Sequence, residues 1–194
     1  MILAYAVILL TILALILGRD LCALKKIAYN GKPVIVIAVL FALQAGLVIF
    51  APGQAGWQML LLIATQCGLV FLLLLNRHVL GAKLFALGVI LNIIVMASNG
   101  GWMPVTPEGY EFIHPDRTAE VYVKPPSSKN IILPRDKTRL WLLSDIIPVS
   151  LPWRSWMISV GDIILVLAVG QYLFQMSSIR QAQDRFRGRR PRNP

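Results

Sequence analysis

Trp57-Gln58-Met59-Leu60-Leu61-Leu62-Ile63-Ala64-Thr65-Gln66-Cys67-Gly68-Leu69-Val70-Phe71-Leu72-Leu73-Leu74-Leu75 runs for nineteen residues without a charged side chain. An α-helix crosses a bilayer core in about 20 apolar residues, so this stretch reads as a membrane-spanning helix. Four more apolar runs flank it. The first is Ile2–Leu17, extended through Leu24 with Arg19 reaching back to the interface. The second, Pro33–Ala51, begins with a proline suited to a first helical turn. Val79–Ala97 and Trp156–Phe174 complete the set, and the last of them contains Asp162. The expected fold class is therefore all-α: an integral membrane bundle of five transmembrane helices with a long, partly ordered outer loop. The expected spans are residues 2–24, 33–51, 57–75, 79–97 and 156–174. The outer loop covers 98–155, the membrane domain as a whole 1–175, and a basic cytoplasmic tail 176–194.

Composition agrees. Hydrophobic residues make up 57% of the chain and charged residues 14%, with a mean hydropathy of +0.68. A soluble domain carries roughly 25% charged residues. The apolar runs leave no length for a separate soluble domain with a large core.

The net charge is +10, but its distribution argues against nucleic acid as a partner. Six of the 19 basic residues lie in the final segment: Arg180, Arg185, Arg187, Arg189, Arg190 and Arg192. Arg19, Lys25, Lys26 and Lys32 follow the first run. Basic clusters beside apolar spans orient a chain and attract anionic lipid. Nucleic-acid binding needs a basic face interleaved with stacking aromatics, and the tail has only Phe186. Membrane lipids are the expected partners, with Arg185, Arg187, Arg189 and Arg190 as lipid or partner contacts.

The same counting sets orientation. The first connection is basic, the third has Arg77 with Lys83 nearby, and the tail is rich in arginine. The second connection, 52–56, has no charge, and the long loop nearly balances seven basic against six acidic residues. The N-terminus and long loop are then outside and the C-terminus cytoplasmic, in a multi-pass arrangement. No basic segment precedes the first run, so it reads as a retained helix rather than a cleaved signal. Trp57, Trp102, Trp141, Trp153 and Trp156 all fall on the outer side, where tryptophan favours headgroups.

Asp162 is the most informative single residue. A carboxylate within a span costs about 2.5–3.5 kcal/mol on insertion scales, so it needs a partner or a task. Counted from the outer helix ends, Asp162 lies about 9 Å deep at 1.5 Å per residue. Asn92, Gln44 and Gln66 fall in the same outer half on three other helices. These four are either hydrogen-bonding glue between helices or the lining of a small polar pocket open to the outside. Ala42-x-x-x-Gly46, Ala64-x-x-x-Gly68 and Ala82-x-x-x-Ala86 have the small-residue spacing of closely packed membrane helices.

Residues 98–155 hold eight of the twelve prolines. Asn99-Gly100-Gly101 favours a tight turn with positive φ, and Pro104 and Pro107 exclude a helix interior there. Glu120–Lys124 and Asn130–Leu133 read as short strands. Thr138–Ile147 reads as an apolar interfacial or re-entrant segment capped by Asp136 or Thr138. Lys129 and Asp145 form either an outer charged site with Asp162 or a loop salt bridge.

Chemistry-bearing motifs are sparse. There is no Gly-rich phosphate loop, CxxC or HExxH. His78 and His114 fall on opposite sides of the membrane, and His114-Pro115-Asp116 reads as a solvated loop, so no metal site is expected. Cys22 and Cys67 read as free packing residues too far apart to bridge. Ser144 and Ser159 have no recognisable base.

The order of these elements resembles a family of small bacterial integral membrane proteins known only as a domain of unknown function. The resemblance rests on Gly18-Arg19, Gln44, Leu91-Asn92 and Asn99-Gly100-Gly101-Trp102-Met103-Pro104-Val105. It continues through Ser128-Lys129-Asn130, Leu143-Ser144-Asp145-Ile146-Ile147-Pro148 and Ser159-Val160-Gly161-Asp162. It covers roughly residues 15–170, without the basic tail. It implies a similar multi-helix fold in a bacterial inner membrane, and it implies no activity.

The expected function is a non-catalytic accessory or assembly subunit of a larger membrane complex, with other membrane subunits as partners. The alternative is a small-molecule, lipid or ion-binding, transporter-like protein. Its pocket would use Asp162, Asn92, Gln44 and Gln66. A loop motif of Asn99, Gly100, Gly101, Met103, Pro104, Lys129, Asn130 and Asp145 would lie above it. Five helices without an internal repeat argue against a self-contained transporter. A membrane enzyme using Asp162 or Asp145 as acid–base group stands third.

Overall fold

The computed structural model describes residues 2–17, 33–50, 53–126 and 128–187. The first connection, with Gly18-Arg19, Cys22 and the basic residues up to Lys32, lies outside them, as do Arg189, Arg190 and Arg192. The side chains of Arg185 and Arg187 are likewise outside the description.

Four helices open the chain: α1 (Ile2–Ile16), α2 (Pro33–Phe50), α3 (Gly56–Leu75) and α4 (Ala82–Ser98). Helix α2 starts on Pro33, as expected of a residue whose missing N–H costs nothing in a first turn. Gly81 precedes α4 with φ 82° and its carbonyl accepts from Phe85 N, so α4 starts at Ala82 rather than Val79. With the last helix, α6 (Val160–Arg187), the helices pack as a row in the order α2, α3, α4, α6, α1. By length and composition, Gly56–Leu75 is long and apolar enough to cross a membrane, and the other apolar helices are shorter.

The segment between α4 and α6 folds into an ordered layer. It contains β1 (Met103–Val105), α5 (Pro107–Ile113), β2 (Asn130–Ile132), β3 (Ile147–Leu151) and β4 (Arg154–Ile158). Strand β1 pairs in parallel with β2, and β3 pairs antiparallel with β4. The chain is therefore mostly helical with two small sheets, a correction to the all-α expectation. The reason is visible in the residues. Pro104 and Pro148 resist helix, and the β-branched or aromatic pairs Val105–Ile132, Ile147–Ile158 and Val149–Trp156 favour strands.

Three local expectations change. Asn130–Ile132 is a strand, but 121–122 form a turn in which Tyr122 takes a φ of 65°. Tyr122 N still donates to Ile132 O at 2.7 Å, so the segment docks on β2 without becoming a strand. Thr138–Ile147 is not a helix. Leu140, with φ 53°, breaks it into 3-10 turns at Arg135–Lys137 and Trp141–Leu143, and β3 begins at Ile147. Finally, Trp156 lies in β4, and α6 runs Val160–Arg187. The last helix thus starts later than expected and continues through much of the segment assigned to the tail.

The layer has its own core. Val105, Tyr110 and Ile132 are buried together, with Ala119 and Met157 against them. A second cluster joins layer to helices: Leu62 of α3, Val95 and Met96 of α4, and Trp102 and Met103.

Candidate functional site

The end of α4 is built by Asn99-Gly100-Gly101. Asn99 Nδ2 donates to Val95 O at 2.8 Å and to Arg139 O at 2.9 Å, and Asn99 Oδ1 accepts from Arg139 N at 2.9 Å. One buried amide thereby closes the helix and ties it to a segment forty residues on. Gly101 has φ 88°, and a Cβ there would collide with the Met59 side chain of α3. Only glycine meets both conditions. Trp102 is then turned inward, and the Lys124 ammonium sits 4.9 Å above its ring. Burial pulls the Lys124 amine below lysine's ordinary range.

The start of α6 is built by Ser159-Val160-Gly161-Asp162. Asp162 N donates to Ser159 Oγ at 3.1 Å, and Ser159 N donates to Asp162 Oδ2 at 3.3 Å. This reciprocal pair is a capping box, with aspartate in the place of the usual Glu or Gln. Asp162 therefore occupies the first turn of α6, where a carboxylate favours the helix dipole. It does not lie several residues inside a longer helix. Gly161 brings α4 close: a Cβ there would overlap the Asn92 amide oxygen, and one on Gly88 would meet Gly161 O at 2.9 Å.

Across this crossing, Asn92 Nδ2 donates to Asp162 Oδ1 at 3.1 Å, and Ser159 Oγ donates to Asn92 Oδ1 at 3.0 Å. The layer between α4 and α6 supplies the cation: Lys129 Nζ stands 3.9 Å from Asp162 Oδ2. Beside it, Asn130 Nδ2 donates to Asp145 Oδ2 at 2.7 Å, while Ser128 Oγ bonds Asn130 Oδ1 at 3.1 Å. Asp145 is 2% exposed, and its backbone N donates to Pro104 O at 3.1 Å, extending the β1 pairing. Its Oδ1 has no hydrogen-bond partner among the described residues.

These groups titrate as a set. Burial pushes the Asp145 carboxyl up to about 6, against the pull of Lys129 and the Asn130 bond. Burial also draws Lys129 down, but Asp162 and then Asp145 outweigh it and hold the ammonium above its ordinary range. About a third of the Lys129 side chain, 34%, still reaches solvent.

Of the residues expected to share one depth, Asp162 and Asn92 meet directly. Gln66 turns to α4 higher up, donating to Met96 Sδ at 3.5 Å. Gln44 lies on α2, with α3 and α4 between it and α6 in the row. In the loop set, Lys129, Asn130 and Asp145 join the Asp162 cluster. Asn99, Gly100 and Gly101 form the separate α4 corner, and Met103 and Pro104 are buried in β1. Cys67 is exposed on α3, so it is free as expected but not a packing residue. His114 caps the end of α5 with its ring 5.0 Å from that of Tyr110. Sequence reasoning named Ser159 and Ser128 but not their bonding roles, and it missed the Gly88–Gly161 contact. The signal for the first was present: Ser-x-x-Asp before an apolar run is a helix-start pattern.

Comparison with known proteins matches this geometry to no activity. Residues 28–175 match the model of a family described as a family of unknown function, DUF5317. An uncharacterized protein of Thermotoga maritima is 32% identical over 142 residues, covering 73% of each chain. No solved structure matches. The match contains the whole Asn92–Asp162 site, and the chain belongs to the DUF5317 family.

Proposed function

We propose that this chain is a non-catalytic, multi-pass protein of the bacterial inner membrane, an accessory or assembly subunit of a larger membrane complex. Five helices, α1 to α4 and α6, would span the bilayer, with the N-terminus and the ordered layer outside and the C-terminus cytoplasmic. The arginine-rich tail would lie against anionic lipid.

The observation that carries this reading is a division of labour. The site's polar side chains fasten the outer layer to α4 and α6, whereas the far helices turn bare apolar surface outward. Ile8, Leu9 and Ile16 of α1, Ile35 and Phe50 of α2, and Leu60 and Phe71 of α3 are all exposed. Exposed apolar side chains in such number favour lipid or another protein as their neighbour. An open groove along α2, lined by Val39, Ala42, Leu43 and Gly46, offers small residues for close approach of a partner helix. The side chains of the Asp162 cluster bond chiefly to one another, which favours a clamp over a catalytic site.

A second reading keeps one specific observation: a third of the Lys129 side chain reaches solvent, near Asp145, whose Oδ1 has no hydrogen-bond partner among the described residues. A small polar molecule or ion could be held there. Native mass spectrometry after gentle extraction from the source membrane separates the two. The subunit reading expects stoichiometric larger partners. A lone monomer or homo-oligomer carrying a small bound mass contradicts it and favours the second.

A further inference from the structure

The seam between the outer layer and α6 contains two carboxylates and one ammonium, and the two carboxylates are unequally served. Asp162 accepts from Asn92 and Ser159 N, faces Lys129, and sits at a helix N-terminus. Asp145 accepts only from Asn130 among the described residues, with its second oxygen buried and unpartnered. Facing Asp145 are Lys129 and Asn130 from the start of β2 and Asp162 from α6. Strand β1, which also pairs with it, has no ionisable side chain.

Two anions against one cation leave one negative charge in excess, with both carboxylates buried. The less solvated carboxylate is the one that relieves this excess by taking a proton. We propose that Asp145 is a proton-binding site, and that its protonation tightens the outer layer onto α6 through Lys129 and Asp162. With Asp145 neutral, Lys129 is left to Asp162 alone. With Asp145 ionised, the ammonium is shared and a bare carboxylate oxygen is buried. This site does not depend on the chain being a complex subunit.

The upward displacement of Asp145, from 3.8 to about 6, fixes the sign. In that window the folded protein keeps a proton that the unfolded chain has released. Stability is therefore fully present below the lower value, falls as pH rises through the window, and stays lowered above it. His114 acts in the opposite sense. Burial, then Arg117 and Arg154, lower its pKa, so its contribution falls as pH drops below 6.5.

The test is the melting temperature of the full chain in a non-ionic detergent, wild type against Asp145→Asn, from about pH 4.5 to about pH 7.5. The amide mimics the neutral carboxyl and keeps the acceptor for Asn130. The expected difference, wild type minus variant, falls by several degrees across the range, and the variant melts higher than wild type at the upper end. A difference independent of pH overturns the proposal. Should Asp145→Asn not fold, Lys129→Met gives the second reading. Loss of the ammonium should move the wild-type midpoint up by about one pH unit or more. An unmoved midpoint also overturns it.

Discussion

The seam at Asp162 and the α2–α3 flank are built from opposite materials. At the seam, Asn92, Ser159, Asp162, Lys129, Asn130 and Asp145 form a network of named donors and acceptors, held by glycines that no other residue replaces without a clash. On the flank, α2 meets α3 through contacts such as Leu40 against Gly68, and most of the remaining surface is apolar and exposed. Directional bonds specify one geometry, whereas apolar contacts tolerate many of similar volume. The seam therefore fixes where the loop layer sits, whereas the flank carries no comparable constraint.

This contrast can be broken at graded cost. The largest effect is expected for Asp162→Ala. It strips Lys129, Asn92 and the Ser159 cap of their shared acceptor at once, a loss on the order of 3–5 kcal/mol. Chemical unfolding in detergent micelles measures it, and a loss below about 1 kcal/mol would mean the clamp is not formed. Next is Gly161→Ala, whose added methyl must push α4 from α6, at about 1–3 kcal/mol. A disulfide or spin-label distance between the two helices should lengthen with it. The smallest effect belongs to the flank: Leu60→Ala and Phe71→Ala should change the stability of the isolated protein within about 0.5 kcal/mol. On the subunit reading, the same two substitutions reduce recovery of the partner proteins.

The helices, and Asp162 as a buried carboxylate that needs a partner, were legible in the sequence because both rest on local signals. An apolar run of helical length, a proline at a first turn and a glycine pair after Ser98 each have one reading. The position of Asp162 in its helix was misread because Trp156-Met157-Ile158 is apolar and continues the helix-like run, while the strand it forms depends on Ile147-Pro148-Val149 pairing from seven to eleven residues away. Pairing of that kind leaves no periodicity to read. The local cue that would have corrected the boundary was Ser159 three residues before Asp162. Gln44 and Gln66 were placed with Asp162 by counting depth alone. Depth does not say which helices are neighbours, and α2 proved to be at the far end of the row. The contact of Lys129 with Asp162 spans a loop whose path the sequence did not fix, so it stood there as one of two readings.

The most direct test of the clamp is a double-mutant cycle on Lys129→Met and Asp162→Asn, with unfolding free energies of the full chain in detergent at neutral pH. If Lys129 fastens the loop layer through Asp162, the double variant loses less than the two single losses summed, by about 1 kcal/mol or more. Losses that add within about 0.3–0.5 kcal/mol would contradict a clamp between these two residues.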